Sequence, residues 1–138
     1  MKPVVCRVKH DPPHSWGDCL RACIATITDM DAPDVPHFAD GGASSDDAFW
    51  WMRGWMKPLG YAPFIAAWPG DIALADLLDM MQTLNPDSVY VLFGGTGAGD
   101  HCVVCRGGEV VHNPAWYGST IVGPLSNGTW QVLVVGRV

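Results

Sequence analysis

The chain has 138 residues, about half of them apolar and only 16% charged, a balance that suits one folded domain over 1–138 and excludes a disordered chain. Eight Lys plus Arg stand against fourteen Asp plus Glu, a formal charge of −6, and the basic residues are scattered. Nucleic acid and anionic membrane surfaces both select a basic footprint, so neither is expected as a partner.

In chain order, the first nine residues alternate weakly (Val4, Cys6, Val8) and predict an edge strand. The opening MKPVVCRVKH has too short an apolar stretch for a signal peptide. The uncharged run 110–136 is broken by Pro114, Gly118, Gly123, Pro124, Asn127 and Gly128, so no apolar helix of about 20 residues fits it. A cytoplasmic protein is expected. Its five cysteines (Cys6, Cys19, Cys23, Cys102, Cys105) are then reduced thiols rather than a disulfide framework.

Residues 10–17, HDPPHSWG, read as a loop. Asp18 is a natural N-cap for a first helix with apolar Leu20, Cys23, Ile24, Ile27 and Met30, stopped at Asp31-Ala32-Pro33. Ser44 or Ser45, with Asp46 and Asp47, starts a second helix to about Met56, whose apolar positions are Phe49, Trp50, Met52 and Trp55. A third runs from about Asp71 to Thr83. The period then changes: 88–93, 101–106, 109–113 and 130–135 are short, β-branched and separated by glycine. Helices followed by strands give the α+β class, with an antiparallel sheet packed against N-terminal helices.

Cys19 falls in the first turn of the first helix, where backbone N–H groups and the helix dipole favour an anion and lower a thiol pKa. The Asp18 carboxylate opposes this, blunted if its oxygens are occupied in capping. Cys23, one turn on, reads as core. A nucleophilic Cys needs a base, and the base an orienting partner. His101 opens a strand directly after the loop GGTGAGD, and Asn113 ends the next strand. With a three-residue loop (106–108), residues summing to 214 pair, and His101 faces Asn113. A two-residue loop of Gly107 and Gly108 slips the register by one and sends the two side chains to opposite faces. A triad therefore demands the longer loop or a bulge.

Gly17-Asp18-Cys19-Leu20-Arg21-Ala22-Cys23, Val35-Pro36-His37-Phe38, His101-Cys102-Val103-Val104 and His112-Asn113-Pro114 together resemble the papain-like cysteine peptidase superfamily. The nearest branch is the small bacterial and phage proteins similar to the bacteriocin-processing peptidase domains of ABC exporters. The resemblance implies a papain-like fold, Cys19 as nucleophile, His101 as base and Asn113 as the orienting residue. It also implies a peptide or protein substrate and no metal or organic cofactor. Relatives place a Gln upstream of the nucleophile as oxyanion donor, whereas no Gln precedes Gln82 here. His14, Ser15, Trp16 and Gly17 are the residues placed to substitute, with the Cys19 N–H. Two other readings remain: an inactive papain-like module that binds a peptide or protein, and a structural zinc site around Cys102-x-x-Cys105. Against zinc, cysteines three apart on a strand point to opposite faces.

Overall fold

The computed structural model describes residues 1–138 and carries α+β architecture, with helices at the N-terminus and a five-stranded antiparallel sheet. The chain divides into two compact units. The first comprises Met1–Pro63, Pro114–Trp116 and Val135–Val138, the second Phe64–Asn113 and Tyr117–Val134. No helix is long and apolar enough to cross a membrane.

In the first unit, α1 spans Cys19–Thr28. It stops short of the expected Pro33 because Asp29 takes a left-handed conformation (φ 55°), a region Asp tolerates better than most residues, and turns the chain. Pro33 lies instead in a 3₁₀ turn, Ala32–Asp34. The expected N-terminal edge strand does not form. Its alternation survives, with Cys6 buried, Val4 and Val8 half-buried, and Val5 and Arg7 exposed. The segment, however, finds its hydrogen-bond partners on α1, on the Asp18 side chain that precedes it and, from Cys6 N–H, on Pro114 O at 2.8 Å, rather than on a strand. Val4 N–H donates to Thr26 Oγ1 at 3.0 Å, and Arg7 and Val8 N–H donate to Asp18 Oδ1, each at 3.0 Å.

Helix α2 spans Ser45–Met56 and is capped as its sequence requires, Ser44 Oγ accepting from Asp47 N–H at 3.1 Å. Its buried line is Ala48, Met52 and Met56, not the tryptophans. Trp50 is 61% exposed, with the Arg53 guanidinium 5.3 Å from its ring centroid. Trp51 and Trp55 present edges or faces to the buried Phe38 at 5.4 and 5.8 Å.

The sheet takes the order β1-β5-β2-β3-β4, with β1 at Tyr61–Pro69, β2 at Val89–Gly95, β3 at Asp100–Arg106, β4 at Glu109–His112 and β5 at Thr129–Arg137. The four predicted strands correspond to β2–β5. Strand β1 was not predicted, because Pro63 and Pro69 each lack an N–H; an edge strand accommodates them on its unpaired side. In the second unit, α3 (Leu74–Leu84) lays Leu77 and Met81 into a core with Tyr90, Leu92, Val103, Cys105, Trp130 and Val132. Two buried polar tips are satisfied there: Tyr90 O–H donates to Gly107 O at 2.6 Å, and Trp130 Nε1–H to Ile72 O at 2.8 Å.

Candidate active site

The sequence candidates fall in both units, Cys19 and residues 14–17 in the first and His101 and Asn113 in the second. At the start of α1, Asp18 occupies the N-cap position but its side chain caps nothing. The expected capping carboxylate is turned the other way. It is 1% exposed and accepts from Arg7 N–H (3.0 and 3.2 Å), Val8 N–H (3.0 Å), and Arg21 Nε and a terminal guanidinium nitrogen (3.1 and 2.6 Å). A buried carboxylate demands such compensation. Two consequences follow for Cys19, which is half-buried. Arg21 balances the neighbouring negative charge, and the first-turn N–H groups of α1 are not spent on Asp18, so the positive end of the helix is retained beside the thiol.

The loop ahead of Cys19 is tied in a way the sequence did not reveal. Gly17 N–H donates to His10 Nδ1 at 3.1 Å, and His37 Nε2 donates to Trp16 O at 2.7 Å. His10 and His37 thus hold the two residues before the nucleophile candidate. Only long-range pairing reveals this; neither spacing nor composition carries it. Of the oxyanion candidates, Ser15 donates its hydroxyl to Lys9 O at 2.7 Å, Gly17 has given its N–H to His10, and His14 is exposed. The Trp16 indole lies over Gly42, where an added Cβ would stand 2.9 Å from Nε1.

In the second unit, the hairpin between β3 and β4 has the two-residue loop: Arg106 pairs with Glu109 and Cys105 with Val110. Both pairs sum to 215, the register that would part His101 from Asn113. A bulge then intervenes, Val104 pairing with His112, so that Val111 is the extra residue and the sum becomes 216. An even sum returns residues 101 and 113 to one face as diagonal neighbours, within reach of long side chains. His101 Nε2 lies 2.9 Å from Asn113 Oδ1. Asn113 Nδ2 donates to the Ser119 carbonyl, which fixes the amide with its oxygen toward the imidazole. Nε2 therefore carries the hydrogen, and Nδ1 is the nitrogen that takes up a proton. His101 is 5% exposed and pairs opposite Gly94, which offers no side chain to crowd it.

The adjoining loops are anchored to the same strands. Gly95 N–H donates to Gly123 O at 2.8 Å, Asp100 accepts from Ser126 N–H and Oγ–H at 2.8 and 2.7 Å, and Thr96–Gly99 closes a tight hairpin turn. Cys105 packs with Tyr90, and burial pushes its thiol up to about 12. Cys102 points to the opposite face of β3, and no group of three or more His, Cys, Asp or Glu side chains converges to hold a metal. No family model matches the chain, and no curated protein or solved structure does.

Proposed function

We propose that the chain is a cysteine-dependent hydrolase of the papain-like type, acting on an amide, isopeptide or thioester carbonyl. One observation carries the reading: the His101–Asn113 bond, with its amide locked by Ser119, sets the tautomer that a thiolate–imidazole catalyst requires. The dipole-exposed start of α1 at Cys19 supports it. In this reaction His101 Nδ1 takes the Cys19 proton, and the thiolate attacks the carbonyl. The imidazolium protonates the leaving amine, alcohol or thiol, leaving an acyl-thioester on Cys19. His101 then deprotonates a water that releases the acid and restores the thiol. The Cys19 backbone N–H is the oxyanion donor nearest the nucleophile. No Gln precedes Gln82 to serve as the upstream donor, and losing one such donor costs about 2.7–4 kcal/mol of transition-state stabilisation.

Iodoacetamide labelling across pH, with the adduct located by mass spectrometry, tests this. Cys19 labels first and remains reactive near about pH 6. His101→Ala moves that labelling to higher pH, and Asn113→Ala moves it less. Labelling of Cys19 no faster than of the other four cysteines overturns the proposal. The commitments of Ser15 and Gly17 favour a second reading, a papain-like module that binds a peptide without turning it over. An activated Cys19 that forms no acyl adduct with any activated ester or thioester decides for that reading.

A further inference from the structure

Cysteine 6 is buried and has no part in the reaction above, yet the fold lays it alongside the first half of α1. Four hydrogen bonds set the register of the N-terminal segment against that helix and its two cap residues. Lys2 N–H donates to Asp29 Oδ1, Val4 N–H to Thr26 Oγ1, and Arg7 and Val8 N–H to Asp18 Oδ1, all at 3.0 Å. The segment thus runs antiparallel to α1. From residue 18 to 26 a helix rises about 12 Å, and three to four extended residues cover about 10–13 Å, so the two stretches match. Interpolation puts Cys6, two residues beyond Val4, level with the turn of α1 between residues 19 and 23. Cys6 is 3% exposed and belongs to the inward-facing set with Val4 and Val8. Cys19, Cys23 and Thr26 fall at i, i+4 and i+7 of α1, and Thr26 is the member that meets the segment directly.

We infer that Cys6 and Cys19 form a redox pair, in which Cys19 is oxidised by a hydroperoxide and Cys6 resolves it to a reversible disulfide. The inference rests on the reading of Cys19 as a thiolate. The Cys19 thiolate attacks the terminal peroxide oxygen, giving a sulfenic acid and releasing hydroxide or alkoxide. Cys6 sulfur then attacks the sulfenic sulfur. The S–O bond breaks, and the hydroxyl leaves as water with the Cys6 proton. Two electrons pass from the thiols to the peroxide, and a dithiol reductant returns them. The resting state suits this order of events. Burial first, then the charges of Cys19 and Asp18, push the Cys6 thiol up to about 12, so Cys6 waits as a thiol while Cys19 is charged. Oxidation of Cys19 to the neutral sulfenic acid removes one of those causes. The disulfide would shut off any acyl chemistry at Cys19 and shield it from irreversible oxidation.

The test treats reduced, full-length protein with equimolar hydrogen peroxide, alkylates it, and maps tryptic peptides without reduction. Trypsin cuts after Arg7, Lys9, Arg21 and Arg53, so Cys6, Cys19 and Cys23 fall in three different peptides. The expected product links Met1–Arg7 to His10–Arg21, with loss of Cys19 labelling that dithiothreitol restores. In Cys6→Ser, Cys19 labels as before, but peroxide drives it to sulfinic acid that dithiothreitol does not reverse. A Cys19–Cys23 link, or sulfinic acid on Cys19 in the unmodified sequence with Cys6 still alkylated, overturns the pair while leaving the hydrolase reading intact. A Cys19 inert to iodoacetamide overturns both. Mapping the unsubstituted chain decides the matter even if Cys6→Ser does not fold.

Discussion

The surroundings of Cys19 and those of His101 solve the same problem, holding one reactive side chain still, with opposite chemistry. Around Cys19 the backbone is irregular, and order comes from a buried charge: Asp18 gathers two backbone N–H groups and the Arg21 guanidinium from separate stretches of chain. Around His101 the backbone is regular, and order comes from strand register and neutral hydrogen bonds through Asn113 to Ser119. The first arrangement concentrates its stability in one group. The second spreads it over many pairs, so that a single local change displaces the imidazole with less effect on the fold.

The largest expected effect therefore lies on the Cys19 side. Asp18→Ala strands Arg21, 17% exposed, and leaves the Arg7 and Val8 N–H groups without their acceptor. Removing one partner of a buried pair costs about 3–5 kcal/mol. Urea denaturation of the variant should show that loss, together with slower labelling of Cys19. A loss below about 1 kcal/mol, the range of surface pairs, would show that the Asp18 cluster is not the keystone of this region.

Alkaline pH provides a second comparison, since among the buried thiols Cys6 in the first unit and Cys105 in the second are each held protonated by burial. Cys6 and Cys105 are each pushed up from 9.0 to about 12, chiefly by desolvation. A folded-state pKa above the unfolded value favours the folded state below the unfolded pKa and loses that advantage as pH rises. Stability is thus full below about pH 9 and falls between 9 and 12, by about 1.4 kcal/mol per pH unit for each thiol. Cys6→Ala and Cys105→Ala should each lower that slope by about 1.4 kcal/mol per pH unit when unfolding is followed from about pH 9 to 10, below the range in which the buried Tyr90 hydroxyl, also pushed up by burial, adds its own contribution. Equal slopes in both variants and the parent sequence would contradict the burial of these thiols.

Much of this architecture was legible locally and little of it at long range. The capped start of α2 and the four strands from residue 88 onward follow from turn residues and β-branched runs, and register arithmetic narrowed the meeting of His101 and Asn113 to two conditions, all from properties of neighbouring residues. Asp18 shows the limit. Its position before α1 was evident, but an N-cap and a buried acceptor for residues 7, 8 and 21 read identically in sequence, and the donors 10 and 11 residues away decided between them. The Val111 bulge is similar: arithmetic left a three-residue loop or a bulge as the alternatives, and only the strand pairing decided for the bulge and located it. At Trp50 hydrophobicity suggests burial, whereas Ala48, Met52 and Met56 form the buried line of α2 and Trp50 is exposed.

The smallest effect is expected on the His101 side, at Gly94. This residue pairs opposite His101, and an added Cβ would stand 2.7 Å from Ile121 Cγ2, 2.8 Å from Gly123 O and 2.8 Å from the Trp130 ring. The Ile121 methyl can rotate away. The other two cannot move freely, because Gly123 O accepts from Gly95 N–H and Trp130 Nε1–H is tied to Ile72 O. Overpacking of this kind costs about 1–3 kcal/mol, and two of the three contacts press on segment 119–123, which carries the carbonyl that locks Asn113. Gly94→Ala should therefore lose stability in that range and shift Cys19 labelling to higher pH in the direction of Asn113→Ala. Adding Ile121→Ala should recover only part of either effect, since it relieves one contact of three. Full recovery in the double variant would locate the strain in Ile121 alone, and an unshifted labelling profile would separate the 119–123 segment from the orientation of His101.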